Sequence, residues 1–243
     1  MKLSSKFKSI MAAGLLISLG LGSSNGATNA LFGIDVSSIQ GAINWTSVHS
    51  CGAQWAFAKA SEGVSSKDTY FARNMSGGKA AGMPMGAYHF AHAEANCPSA
   101  EANYFWSVAG SQIIPDGKSL FPAIDFEIFS GHACAASYTA WVNAWATAVK
   151  AKTSHFLHPV LAVSPCGGAC NFTTGTSLEL WGLGNGDPWT TCACCNYIDP
   201  CAKDGWTYWL INANGAMCGI SGPVDFDEYN GSMSSLIATQ VVH

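Results

Sequence analysis

From Leu31 onward the chain alternates short apolar runs with stretches whose apolar residues recur at helical spacing, and that alternation leaves few folds open. Five runs read as strands: 31–36 (LFGIDV), 54–59 (QWAFAK), 84–90 (PMGAYHF), 120–127 (LFPAIDFE) and 159–164 (PVLAVS). Helices are predicted between them near 69–81, 98–109 and 136–152. The last carries Tyr138, Trp141, Val142, Trp145, Ala148 and Val149 on one face, with Lys150 and Lys152 at its C-terminal end, where positive charge complements the helix dipole. Beyond about residue 165 the helical signals stop, and three further strands are predicted at 178–183, 206–212 and 219–226. Strand-helix units of this kind build an α/β fold around a parallel sheet, whose strands are covered on both faces and therefore read as near-continuous apolar sequence. With no internal repeat and no linker, residues 31–243 read as a single domain.

Carboxylates at strand ends break the apolar pattern. Asp35 ends the first strand, Asp125 and Glu127 end the fourth, and Asp225 and Asp227 close the last. If the sheet closes into a barrel, such ends form one rim, where catalytic groups sit. Asp125 and Glu127 are two apart on a strand, so both side chains leave the same face, with Cα atoms about 6.5 to 7 Å apart. Two acids in a partly dry site cannot both ionise freely, so one retains a proton. Glycoside cleavage needs that arrangement, a general acid for the leaving oxygen and a second carboxylate for the developing positive charge. An Asp-x-Glu by itself equally fits an exposed edge or a metal site.

The first 30 residues have a different character: Lys2, Lys6 and Lys8 precede an apolar stretch from Ile10 to Leu21 and a small, polar tail from Gly22 to Ala30. That is the layout of a signal peptide, too short in its apolar part to span a bilayer, with cleavage expected between 26 and 30. Secretion, or delivery to an acidic lumen, and no membrane association after cleavage are the expectations. Because the segment holds three of the eleven basic residues and none of the fifteen acidic ones, its loss moves the formal charge from −4 to −7. Nucleic acid is a poor partner for such a chain. Ten cysteines among only 11% charged residues agree with an oxidising compartment, and six of them (Cys166, Cys170, Cys192, Cys194, Cys195 and Cys201) crowd a glycine-rich stretch that disulfides would staple. Their spacing fits no strong zinc pattern, so neither a metal nor a cofactor is expected. Asn-x-Ser/Thr triplets at Asn44, Asn74, Asn171 and Asn230 are candidate glycan sites.

The stretches GIDVSSIQG (33–41), AKASEG (58–63), AGMPMGAYHF (81–90), AEANYF (100–105), AIDFE (123–127), LW (180–181) and GISGPVDFDEYNGS (219–232) together resemble family 25 glycoside hydrolases, the Chalaropsis-type lysozymes. The resemblance runs from about Leu31 to Ser232. It implies a modified TIM-like β/α barrel of eight strands with fewer than eight helices. It also implies hydrolysis of the β-1,4 bond between N-acetylmuramic acid and N-acetylglucosamine in bacterial cell-wall peptidoglycan, by a monomer.

By the same resemblance Glu127 is the general acid and base, and Asp125 orients the substrate's 2-acetamido group so that its own carbonyl oxygen attacks the anomeric carbon. Asp35 and Asp225 match the remaining acids of the family site; an inverting route in which one of them activates water stays open. Tyr88, Trp181 and Trp209 are candidate sugar platforms, and His89 and Asp227 candidate substrate contacts, with His92 nearby. Three departures thin the sugar-contacting wall: Ala162 where the family commonly has tyrosine, Leu210 after Trp209 in place of glutamine, and the glycine-rich LGNG after Trp181–Gly182. A hydrolase of another acetamido-sugar polymer such as chitin, and a non-catalytic glycan-binding protein on the same barrel, are the competing readings. Calcium binding by DFDEYNG (225–231) fails because Tyr229 falls where an oxygen ligand is needed.

Overall fold

The computed structural model describes residues 30–164, 168, 171–172, 176–184 and 205–243. The predicted export segment, apart from Ala30, and the six clustered cysteines lie outside the described residues. Nine strands form one sheet: β1 (Leu31–Val36), β2 (Trp55–Glu62), β3 (Ser66–Lys67), β4 (Met85–Phe90), β5 (Ala123–Asp125), β6 (Val160–Val163), β7 (Glu179–Gly182), β8 (Tyr208–Gly215) and β9 (Val224–Tyr229). Eight of them close into a ring in the order β1, β2, β4, β5, β6, β7, β8, β9, and β9 returns to β1. The β3 strand is a two-residue hairpin arm on β2. Among the described residues five α-helices accompany the ring: α1 (Trp45–Ser50), α2 (Phe71–Ala80), α3 (Pro98–Ala109), α4 (Tyr138–Lys150) and α5 (Met233–Gln240).

The ring is mixed rather than all parallel. Strands β1 to β8 of the ring run parallel, but β9 is antiparallel to both neighbours, pairing Asp35 with Asp225 and Gly33 with Asp227. This corrects the expectation that Asp225 and Asp227 close the last strand. Asp225 is the second of its six residues and Asp227 the fourth, and because the strand is reversed its beginning, with Asp225, lies at the rim where the other strands end. Two further differences concern helices. The six-residue α1 and the eight-residue α5 were not expected, and α5 falls where helical signals were read as absent. Both are signalled by caps, the side chains of Asn44 and Ser232 accepting backbone N–H groups of Ser47 and Ser235.

Strand alternation divides the apolar residues between two cores. Outward-facing Ile34, Ala56, Ala58, Met85, Ala87, Ile124, Leu161 and Val163 meet the helices. Inward-facing Trp55, Phe57, Tyr88, Trp181, Tyr208 and Tyr229 fill the barrel, with Phe57 and Trp181 ring centroids 4.9 Å apart and Trp55 and Tyr208 also 4.9 Å apart. So many large rings fit only because small residues face them: a Cβ on Gly33 would enter the Trp55 indole, and one on Gly86 the Phe57 ring. At the bottom Leu236 of α5 and Val241 join this inner core, so the C-terminal helix plugs the barrel from below.

Two disulfides staple the described part. Cys51–Cys218 joins the end of α1 to the β8–β9 connection across 167 residues, and Cys97–Cys134 joins the N-cap of α3 to the segment after Glu127. Of the candidate glycan sites, Asn74 is 1% exposed in the middle of α2, where a glycan has no room. Substituting Gly86 by alanine is expected to cost about 1–3 kcal/mol of stability by overpacking, measured by urea unfolding. An unchanged midpoint would mean that the inner core is loosely filled.

Candidate active site

The upper rim surrounds a cavity of about 400 Å³. Asp35, Asp125, Glu127 and Asp225 all line it, each delivered by strand parity: Asp35 follows inward-facing Gly33, Asp125 follows Ala123, and Asp225 pairs with Asp35 across the β1–β9 ladder. Glu127 lies two residues past β5, but the Phe126 N–H still donates to the Ala162 carbonyl at 2.9 Å, so the ladder continues to the residue before it. That keeps the acid on the cavity side, exposed at the mouth, while Asp125 is half-buried below it.

Four neighbouring carboxyl groups keep their protons to unusually high pH. Burial comes first among the causes for each, followed by like charge. Asp35 is raised well above its ordinary value by burial and by Asp225, and Asp125 by burial, Glu127 and Asp35. Asp227 is likewise raised by burial and by Asp35, and its Oδ1 accepts the Trp181 indole N–H at 3.0 Å. Asp225 is pushed up to about 6 by burial and by Glu127. Burial and the surrounding acids also hold the Tyr88 phenol protonated well above its usual range.

One cation faces this group. Lys59 on β2 lines the cavity and favours the charged form of Asp125, while its ammonium donates to Glu62 Oε2 at 2.6 Å. Glu62 Oε1 in turn faces His92 Nε2 at 3.0 Å, and His92 Nδ1 faces Glu94 at 2.8 Å. With a carboxylate on each ring nitrogen, first Glu62 and then Glu94, the imidazole holds its proton above the usual histidine range. Neither Lys59 nor Glu62 was singled out from the sequence, although both lie within AKASEG (58–63).

Not every predicted residue reaches the cavity. Tyr88 and Trp181 line it, although Trp181 is only 2% exposed and forms its floor. Asp227 is fully buried beneath that floor. His89 faces outward: its ring nitrogens meet Ser61 Oγ at 2.8 Å and Glu101 Oε2 at 2.9 Å, and its ring stacks on Trp145. Trp209 is fully buried over Gly182 and Gly184, on the opposite face of the sheet from Trp181. Parity or depth therefore removes His89, Trp209 and Asp227 from the mouth and from direct contact with a sugar there, contrary to expectation. The departures Ala162 and Leu210 do line the cavity, beside Leu183, and make one wall apolar.

The sequence pattern defining the family described as Glycosyl hydrolases family 25 matches residues 34–158. Lysozyme M1 of Streptomyces globisporus is 34% identical over 225 residues, 87% of this chain and 71% of that protein. The N,O-diacetylmuramidase of Chalaropsis sp. is 30% identical over 218 residues, 84% of this chain and 96% of that one. Among solved structures, the bacterial lysozyme from Streptomyces coelicolor superposes with a TM-score of 0.71 at 32% identity, covering 88% of this chain and 98% of its own.

The protonated cluster fixes the sign of a pH effect on stability. Between the unfolded carboxylate range, about pH 4, and the Asp225 value of about 6 the folded chain holds a proton that the unfolded chain has released. The resulting stability is full below the unfolded value and lost as pH rises through about 6. The raised Asp35, Asp125 and Asp227 act in the same direction. The melting temperature is expected to rise when pH is lowered from about 7 to 5, and Asp225→Asn to flatten that slope in a thermal scan. A melting temperature that falls over this interval would contradict a protonated cluster.

Proposed function

Since the chain belongs to glycosyl hydrolases family 25, as a glycoside hydrolase of the lysozyme and muramidase type, we propose a secreted enzyme that cleaves the β-1,4 bond between N-acetylmuramic acid and N-acetylglucosamine in bacterial peptidoglycan. The region 31–243 acts as the single catalytic domain, following an export segment removed between 26 and 30. The observation that carries the mechanism is the Asp125–Glu127 pair, both lining the mouth cavity of a closed barrel, with burial and the neighbouring Glu127 raising the Asp125 carboxyl well above its ordinary range.

Glu127 stands exposed at the mouth, where a glycosidic oxygen can reach it, and serves as general acid for the leaving group and then as general base for water. The Asp125 Oδ1 is buried without a hydrogen-bond partner. An acetamido N–H would satisfy that oxygen, and accepting it turns the acetamido carbonyl oxygen towards the anomeric carbon. The substrate then supplies its own nucleophile, and the far face of the sugar needs no protein carboxylate. Asp35 and Asp225 complete the acidic wall, and Tyr88 offers the aromatic surface nearest to them.

On defined peptidoglycan, Glu127→Gln is expected to lower reducing-end release by about 10² to 10⁴-fold, with chitin oligomers as the parallel substrate. Equal activity of variant and wild type would remove Glu127 from the reaction, and turnover of chitin alone would keep the mechanism while replacing the substrate. Proton NMR is expected to detect the β anomer first; an α product would exclude the acetamido-assisted route. Because Asp225 gains negative charge as pH rises through about 6, the mouth becomes more repulsive to an anionic polymer. The pH profile of kcat/KM on peptidoglycan is therefore expected to fall above that value, and an optimum above about 7 would count against it.

A further inference from the structure

A second cavity, of about 170 Å³, opens beside the catalytic one and shares Ser37, Ile39 and Lys59 with it. The ridge between them is Ile39, 83% exposed and yet held from several directions. It sits on the 3₁₀ turn Ser38–Gln40, closed by a reciprocal Ser37–Gln40 capping box. The Ser38 N–H donates to Asp68 Oδ2 at 2.7 Å and the Gln40 amide donates to the Pro223 carbonyl at 3.0 Å. An apolar side chain this exposed on a turn this restrained is a fixed surface feature at the mouth.

Charge in the second cavity does not follow the rest of the molecule. Its two acids are already engaged: Asp68 accepts backbone N–H groups from Ser38 and Tyr70, and Glu62 is taken by Lys59 and His92. Lys67, on the β3 arm, lines the same cavity, is exposed and has no ion-pair partner among the described residues. The four charged groups of this cavity, Lys59, Lys67, Glu62 and Asp68, sum to zero, and the exposed one that no side chain holds is the Lys67 ammonium, next to a catalytic cavity lined by four acids.

We infer that this second cavity, walled by Ile39 and Lys67, is a subsite for the carboxylate-bearing substituent on the muramic sugar. The inference rests on the muramidase reading. A glycan chain held in the acidic cavity is uncharged along its backbone, and its carboxylates are carried to one side, on the O3 lactyl ether or on the peptide joined to it. Such a side group passes over the Ile39 ridge, with its methyl groups against the isoleucine and its carboxylate towards the Lys67 ammonium. The adjoining hydroxyls of Ser66 and Thr69 offer further hydrogen bonds. The cavity would thereby distinguish a muramyl residue from plain N-acetylglucosamine, a discrimination that the apolar wall at Ala162 and Leu210 cannot make.

The test compares wild type, Lys67→Glu and Lys67→Arg on three substrates: peptide-bearing glycan strands, the same strands stripped of peptide by an amidase, and chitin oligomers. For Lys67→Glu the ratio of kcat/KM on peptide-bearing strands to that on chitin oligomers is expected to fall about fivefold, the scale of an exposed ion pair. The loss is expected in KM, to lessen with added salt, and to be restored by Lys67→Arg. A loss confined to peptide-bearing strands assigns the cavity to the peptide carboxylates, a loss confined to stripped strands assigns it to the lactyl carboxylate that the amidase frees, and an equal loss on both assigns it to whichever carboxylate the side group carries. Ratios unchanged by charge reversal on both kinds of strand, with wild type active and Glu127→Gln inert, would overturn the subsite and leave the muramidase reading intact. A wild type inert on both kinds of strand would overturn that reading, and the subsite with it.

Discussion

The reversed strand β9 is the constraint on which the rest of the molecule depends. A ring of parallel strands brings only C-terminal strand ends to its upper rim, whereas β9 enters from that rim and delivers its first residues there. Its pairing with β1 sets Asp225 opposite Asp35 and Asp227 opposite Gly33. A shift of one residue would send both acids to the outer face and bring Phe226 inward. The same register allows Asp227 to meet the Trp181 indole and brings its charge against that of Asp35. Barrel closure and assembly of the acidic cluster are therefore one event, because the contacts that seal the ring also gather the carboxyls.

That cluster works against stability at neutral pH, and the surroundings show what offsets it. Inward of the acids lies a column of aromatic rings, filling space that smaller side chains would leave open to water. A dry floor of this kind favours the protonated forms and limits repulsion. Outward, the fully buried Glu101 carboxylate accepts from the backbone N–H of His92 and the Asn96 amide and faces His89, tying the segment after β4 to α3. The outward-facing histidine thus braces the rim from behind.

Much of this was legible in the sequence, for identifiable reasons. The apolar run LFGIDV coincides with β1 because Ser37, directly after it, caps a 3₁₀ turn that ends the strand. The α4 face was readable because thirteen residues provide several turns of periodicity. The six residues of α1 provide less than two, and only its Asn44 cap betrays it. Strand direction leaves no mark on hydropathy, so the reversal of β9 could not be read, and with it the reason Asp225 reaches the rim. Facing, by contrast, was recoverable: an inward Tyr88 obliges His89 to point out, and an inward Tyr208 obliges Trp209 to do the same. Resemblance in motif drew these two residues towards the site, and simple parity excludes them.

With α5 plugging the lower end, the interior acids meet bulk solvent, among the described residues, through the mouth of the cavity. Protons reach Asp35, Asp125 and Asp227 by the route that any ligand takes, so occupancy of the mouth slows their exchange with solvent. A ligand seated there is expected to leave the proton count of the site close to what it was at binding. The solution pH sets the number of protons loaded at binding, and the barrel's geometry governs how they are distributed until release.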